Sequence, residues 1–403
     1  MIVLEDALTL LLNHAPLHCN TTRLPLAECF GRILAEDITS TMDFPPFNRS
    51  PLDGYAVQFK DIIHASAEHP ALLTQIESVP AGSVPYNTIS SGQATRIMTG
   101  AKIPEGADAV VRLEDTGTVN SQIAIWTAEK AATNICSQGE EIRINEKVLT
   151  AGTLLEEGAL GLLSMLGHAN PLIFHKPKIG ILATGSELLS PSDPMKPGKI
   201  RDSNSYMLLA KVLKAGGEPV LLGRVEDNLS SIITKLSAHP NLPLYITTGG
   251  ASVGDYDLME KLFQELQVPL LFKGVAIKPG MPVLAGIWKN SLLMALSGNP
   301  AAGSVSFEML ITPLIRKIAG LRNWKHKKST VKLWGTFKKT SPTRRFVWAR
   351  WFVKQGTIYA EPLSHQGNGM LKSALEANAL LEIPAHNPII ENGTELEAVL
   401  LQL

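Results

Sequence analysis

Cysteine is scarce in this chain: three residues in 403, Cys19, Cys29 and Cys136, with no CxxC pair. That rules out a disulfide framework and a cysteine-built zinc site, and it predicts reduced thiols in a cytosolic, hence cytoplasmic, protein. An excess of either charge is also lacking, since Lys plus Arg and Asp plus Glu count 37 each. No global field draws in nucleic acid or a membrane surface, so any anion site has to be local. No apolar run reaches the ~18 residues that a bilayer span needs. The N-terminus MIVLEDALTLLLNHAP has Glu5 and Asp6 but no basic leader. It reads as an amphipathic helix starting near Leu4, not as a signal peptide. Repeats of 20–50 residues are missing, and so are the nucleotide fingerprints GxxxxGK[ST] and GxGxxG.

What is present fits a soluble chain of about two to four domains. A hydrophobic share of 45% is enough for several cores. Residues 1–40 read as helical, in EDALTLLLNH and CFGRILAEDI, and 146–170 return to helix in LEEGALGLLSMLGH. Between them, 41–145 are rich in Gly, Pro, Ser and Thr with short alternating runs, the texture of a β-rich lobe inserted into one discontinuous helical unit. From 171 to 323, short apolar strands alternate with capped helices and end in a long helix, AAGSVSFEMLITPLIRKIAG. That predicts an α/β domain with a doubly wound, mostly parallel sheet. Residues 324–403 form a small all-β unit, expected to be barrel-like.

Chemistry concentrates at a few places. In FPPFNRSPLDGYAV, 44–57, Pro45 and Pro46 stiffen the approach and Asp53-Gly54 turns the chain into a strand. One carboxylate, Asp53, is thereby presented at a defined point. Three Gly-containing turns follow α/β strand ends, where such sheets bind ligands. They are Thr184-Gly185, then the stretch holding Gly249, Gly250, Ser252 and Gly254, then Gly298-Asn299-Pro300, which opens a helix. Small residues let backbone N–H groups approach a phosphate. Glu187, Asp202, Asp227, Asp255 and Asp257 lie beside these turns or in loops and suit Mg²⁺, which takes one or two carboxylates plus phosphate and water. Asp202 and Asp227 equally suit helix caps. Lys278 sits in a turn that could aim its ammonium at an oxyanion. Arg345 and Arg350 flank a strand, five apart, and so point to opposite faces.

In register along nearly the whole chain, CFGRILAEDI, PPFNRSPLDGYAV, RIMTGAKIPEGADAVV, GEEI, KIGILATGSELL, DSN, TTGGASVGDYD, IKPGMP, LSGNPAA and SHQGNGML resemble the MoeA/gephyrin family, the molybdopterin molybdotransferases. The resemblance implies four subdomains and an elongated homodimer whose active site draws on both subunits. It implies a transferase that hydrolyses adenylated molybdopterin with Mg²⁺, releases AMP and inserts molybdate at the dithiolene. By that match Asp53, Thr99, Glu141, Glu187, Asp227 and Asp257 surround nucleotide, metal and pterin, while Lys278 and Arg350 face molybdate. It also implies contact with the molybdopterin adenylyltransferase and with cofactor-recipient enzymes.

Three positions depart from the family pattern. Met281 replaces the second Lys of KPGKP, Ser297–Ala302 replaces LPGNPVS, and Asn368 replaces the Ser of QGS. Each removes a cation or a hydroxyl from the oxyanion side. Met281 either thins the molybdate site, with Lys273 the nearest other cation in sequence, or packs under its loop. The departures keep open a molybdopterin-binding paralogue that stores the cofactor or handles another metal; a non-catalytic scaffold is the other rival.

Overall fold

The computed structural model describes residues 1–16, 20–250 and 256–401, with the backbone alone at Tyr256 and Asp257. It divides into two compact units: Met1–Glu36, Ala151–Leu160 and Ala169–Leu403 form one, Asp37–Thr150 and Gly161–His168 the other.

Helix α1 (Leu4–Asn13) buries Leu4, Ala7 and Leu11, one stripe at helical spacing. That stripe joins the core of the α/β sheet, alongside Ile179 and Ile246. The CFGRILAEDI stretch is not the expected helix. Gly31 takes φ +69°, Ile33 bridges Leu154 and Leu34 bridges Ile173. Its apolar spacing imitates a helix, but pairing with distant segments prevails.

The second unit holds a six-stranded sheet. Its strands are β1 (Gly54–Val57), β2 (Ala71–Val79), β3 (Gln93–Ile97), β4 (Ala109–Arg112), β5 (Thr116–Val119) and β6 (Gln122–Ile125). The order is β4-β1-β3-β2-β6-β5, antiparallel except for β2 with β3. Alternation along β1 sends Tyr55 and Val57 into one apolar cluster and Ala56 into the other. Helix α2 (Glu157–Met165) follows, as the sequence predicts.

In the first unit, β7 (Lys178–Thr184), α3 (Asn204–Lys214), β8 (Glu218–Val225), α4 (Leu229–Ser237), β9 (Leu244–Thr248) and α5 (Tyr256–Glu265) alternate as expected. Then come β10 (Leu270–Lys273), β11 (Ile277–Lys278), β12 (Val283–Trp288) and β13 (Ser291–Leu296). The sheet order is β8-β7-β9-β13-β12-β10, parallel over the first four strands. The sheet is buried on both faces. Leu208 and Val212 of α3 cover Ile179 and Ile181, while Ile232 of α4 and Leu262 of α5 cover Leu182 and Leu293.

The expected long final helix is broken by a π-helical turn. It runs as α6 (Pro300–Ser306), the π turn Phe307–Ile311, and α7 (Thr312–Ile318). Pro313 has no N–H to close an α-turn onto Met309, so the ladder shifts there. The C-terminal strands are β14 (Lys328–Leu333), β15 (Arg344–Lys354), β16 (Thr357–Pro362), β17 (Ala379–Ile383) and β18 (Glu395–Leu400). They close into a five-stranded barrel because β15 pairs with both β16 and β17, and β11 adds in parallel to β15.

Candidate functional site

Strand β7 has β8 on one side and β9 on the other, so successive connections leave in opposite directions between β7 and β9. That is a topological switch point, where open α/β sheets hold ligands. The strand-end turns meet there through missing side chains. A Cβ on Gly249 would overlap the Thr184 carbonyl oxygen, and one on Gly298 would stand 3.1 Å from the Gly249 Cα. The resulting cleft is lined by Thr184, Glu187, Asp202, Asn204, Thr248 and Gly298, among others.

Asn204 fastens this cleft. Its Nδ2 donates to Thr248 Oγ1 and to the Gly298 carbonyl, each at 2.8 Å. The Gly298 carbonyl can only accept, which fixes the orientation of the amide. Among the described residues, Asn204 Oδ1 and Thr184 Oγ1 are buried and without a hydrogen-bond partner. Such atoms are rare in folded proteins and mark places where a ligand or water completes the bonding.

The acids divide. Asp202 is buried and its Oδ1 accepts from Ser205 N–H at 3.0 Å, capping α3. Asp227 is not the cap of α4; that is Asn228, which accepts from Ser231 N–H. Asp227 instead accepts from Ser186 N–H at 3.3 Å. The Glu187 carboxylate folds over Gly185, within 3 Å of where a Cβ would stand there. Both carboxylates thus bracket the tripeptide Gly185-Ser186-Glu187. Gly250 lies at the end of β9 with φ +60°. Ser252, Gly254, Asp255 and Cys19 lie outside the described residues, as does the side chain of Asp257, whose backbone is in α5.

The helix-opening turn is closed by chain, not left open. Ala301 N–H donates to the Asn368 carbonyl at 2.9 Å, and Asn299 N–H to Ser297 Oγ at 3.2 Å, with Pro300 at the first helical position. The Lys278 loop is pinned to α6 because Ser306 Oγ donates to the Gly280 carbonyl. Lys278 is exposed and aligned with Arg345 of β15. Met281 does not pack under the loop; it is 42% exposed. Lys273 is engaged by Glu260. Arg350 reaches Glu361 at 3.5 Å and lies five residues beyond Arg345, about 17 Å along the strand. Within this chain Lys278 and Arg350 are therefore not brought together.

In the second unit, Asp53 Oδ1 accepts from Thr99 N–H at 2.7 Å and Thr99 Oγ1 at 2.8 Å. The backbone bond first, then the hydroxyl, hold the carboxyl below its ordinary value. Arg96 donates to the Gly54 carbonyl and lies over the Tyr55 ring, a cation beside Asp53 that sequence reading passed over. The 44–57 segment is anchored by Glu141 and Ile142 N–H groups on the Phe44 carbonyl and by Cys136 on Arg49. Glu141 is exposed, and among the described residues no hydrogen bond joins its side chain to Asp53. Asn204, in the DSN motif, is the contributor that the sequence does not mark out for the cleft; Arg345, read beside Arg350 as a candidate cation, is aligned with Lys278 only by the β11–β15 register.

Three family models match successive stretches of the chain. Residues 2–167 match the MoeA N-terminal region (domain I and II), 180–317 the Probable molybdopterin binding domain, and 330–401 the MoeA C-terminal region (domain IV). The chain is 37% identical over 388 residues to the molybdopterin molybdenumtransferase of Bacillus subtilis, covering 95% of this chain and 90% of that one. It is 32% identical over 379 residues to that of a Nostoc species, covering 93% and 86%. The crystal structure of the molybdopterin biosynthesis moeA protein from Pyrococcus horikoshii superposes with a TM-score of 0.86 at 32% identity, covering 99% of this chain and 100% of that one.

Proposed function

Because this chain belongs to the MoeA family of molybdopterin molybdenumtransferases, we propose that it binds adenylated molybdopterin in the switch-point cleft, hydrolyses it with Mg²⁺, and inserts molybdate. The coarser statement stands on the family alone: it is a transferase of molybdenum cofactor biosynthesis. One observation carries the finer one. Three strand-end turns, Glu187 and Asp202 line the cleft where Thr184 Oγ1 and Asn204 Oδ1 are buried and without a partner among the described residues. A buried polar atom without a partner costs roughly 1–3 kcal/mol, which a bound ligand recovers.

In the proposed reaction, water adds at one phosphorus of the anhydride. The bridging oxygen leaves with the other phosphate, and AMP, molybdopterin and a proton result. Glu187 and Asp227 would hold Mg²⁺, since two carboxylates at one turn, with phosphate and water completing the shell, are a typical set for it. Bound there, the ion neutralises charge on the phosphate oxygens. Asp257 and Glu141 remain proposed ligands. Asp53, kept ionised by Thr99, orients partners rather than storing a proton. Lys278 and Arg350 take the molybdate side, and Asp202 primarily holds α3 in place.

The same reading extends to a four-part division at 41–145, 171–323 and 324–403 around a helical unit, to a homodimer, and to handover contacts with the adenylyltransferase and recipient enzymes. It places the protein in the cytoplasm; among the described residues no helix is long and apolar enough to cross a membrane. The test is conversion in vitro of adenylated molybdopterin to molybdenum cofactor, with Mg²⁺ present and molybdate titrated. AMP release coupled to cofactor formation supports the reading; bound pterin without AMP release favours the storage paralogue.

A further inference from the structure

The cations around the barrel edge are sorted by partner. Arg344 donates to Glu382 at 2.8 Å and to Glu5 at 2.7 Å. Arg350 has Glu361, and Lys273 has Glu260. Lys278 and Arg345 have no carboxylate partner among the described residues. They are also neighbours. In the parallel β11–β15 pair, Ile277 aligns with Arg344 and Lys278 with Arg345. Aligned residues on adjacent strands point to the same face, with backbones about 4.8 Å apart. Two cations held side by side without a counter-charge repel each other, a cost that a dianion removes.

The local packing shows why Arg345 stays in place. Its register partner Ile383 and its same-face neighbour Val347 both belong to the barrel core, so its stem is rooted at the barrel rim. Its Nε is buried and has no hydrogen-bond partner among the described residues. Burial pushes the guanidinium below its ordinary value, and no nearby acid offsets this. The position where the KPGKP pattern of the resemblance has its second Lys is filled here by an exposed Met281.

We propose that Arg345, paired with Lys278, supplies the second cation of the oxyanion site that Met281 no longer provides. The ligand class is a tetrahedral dianion, and molybdate is the occupant under the function proposed above, on which this inference rests. Phosphate shares the charge and shape, so the test must separate the two.

The experiment is direct calorimetric titration of the full-length protein with molybdate and, separately, with inorganic phosphate, without pterin. Arg345→Met keeps the stem and removes the charge. It is expected to weaken molybdate binding by about one to two powers of ten. Arg345→Lys should retain most of the affinity, and adding Met281→Lys to Arg345→Met should restore it. Phosphate binding at least tenfold weaker than molybdate supports molybdate as the occupant; equal binding overturns that assignment. If Arg345→Met binds molybdate like wild type, the proposal falls. Should that variant not fold, the wild type still decides. Molybdate should slow phenylglyoxal modification at Arg345, read by mass spectrometry, and equal rates with and without it overturn the proposal. Wild-type AMP release is measured in parallel. Its absence would count against the hydrolytic function and leave the binding result to judge Arg345.

Discussion

Asp227 shows how one atom's partner separates two roles. An asparagine there can still accept the Ser186 N–H, so Asp227→Asn removes charge while leaving the turn closed. Under the proposed chemistry, Asp227→Asn and Glu187→Gln are each expected to lower AMP release by roughly 10²–10³, with near-normal melting temperature. Melting curves and AMP release over a Mg²⁺ titration check this; unchanged release in both variants would remove the acids from the site. A second set of residues affects stability instead. Glu308 lies in the π turn and bonds Lys211 Nζ at 2.7 Å. Burial pushes its carboxyl up, but Lys211 and His326 together hold it below 4.5. Burial also pushes His326 below 6.5 against the pull of Glu308, and its Nε2–H donates to the Glu308 carbonyl at 2.6 Å. In both groups the folded state binds protons less readily than the unfolded chain. Their contribution is therefore present above the unfolded values and is lost on acidification, His326 from about 6.5 downward and Glu308 below 4.5. Melting temperature followed from pH 8 to 4 should fall first below about 6.5. His326→Gln should abolish that first fall, and a wild-type profile flat to pH 5 would contradict the assignment.

At the scale of elements, two glycines make opposite predictions. Gly161 is in α2 with open space where a Cβ would go, so Gly161→Ala should stabilise by up to about 1 kcal/mol. Gly249 follows β9 at φ +104° against the Thr184 carbonyl. Gly249→Ala should cost about 1–3 kcal/mol and reduce AMP release as the cleft deforms. Thermal melts of both, with activity for the second, test the pair. The same elements show what the sequence made legible. Strand KIGILAT announces itself as a near-continuous apolar run, because a strand buried on both faces needs one. The Gly turns at the strand ends were readable for the same reason, and the switch point follows once the order is known. The failures have a common cause. Ile33 and Leu34 have helical spacing, yet their partners are Leu154 and Ile173, far along the chain. Barrel closure and the Lys278–Arg345 register also depend on long-range pairing, which leaves no local trace. Asp53 and Thr99 are 46 residues apart, and only resemblance joined them before the structure did.

For the whole molecule, the acid-bearing residues fall in two units: Asp53 in the one built around 37–150, and Glu187 and Asp227 in the α/β unit. The proposed homodimer completes each site with residues from both subunits, and a mixing experiment tests this without any structure of the assembly. Asp53→Asn and Glu187→Gln are each expected to be nearly inactive alone. When equal amounts are unfolded and refolded together, random pairing makes about half of the dimers mixed. If a site takes Asp53 from one subunit and Glu187 from its partner, each mixed dimer has one site with both defects and one with none. Activity should then recover to about a quarter of wild type, since half the dimers contribute half their sites. If both residues serve a site within one subunit, every site in a mixed dimer has one defect, and mixing recovers nothing. Light scattering on the same samples supplies the control. A monomer at micromolar concentration, or a dimer with no recovery after refolding shown to be complete for wild type, would rule out the shared site and restrict the catalytic unit to a single chain.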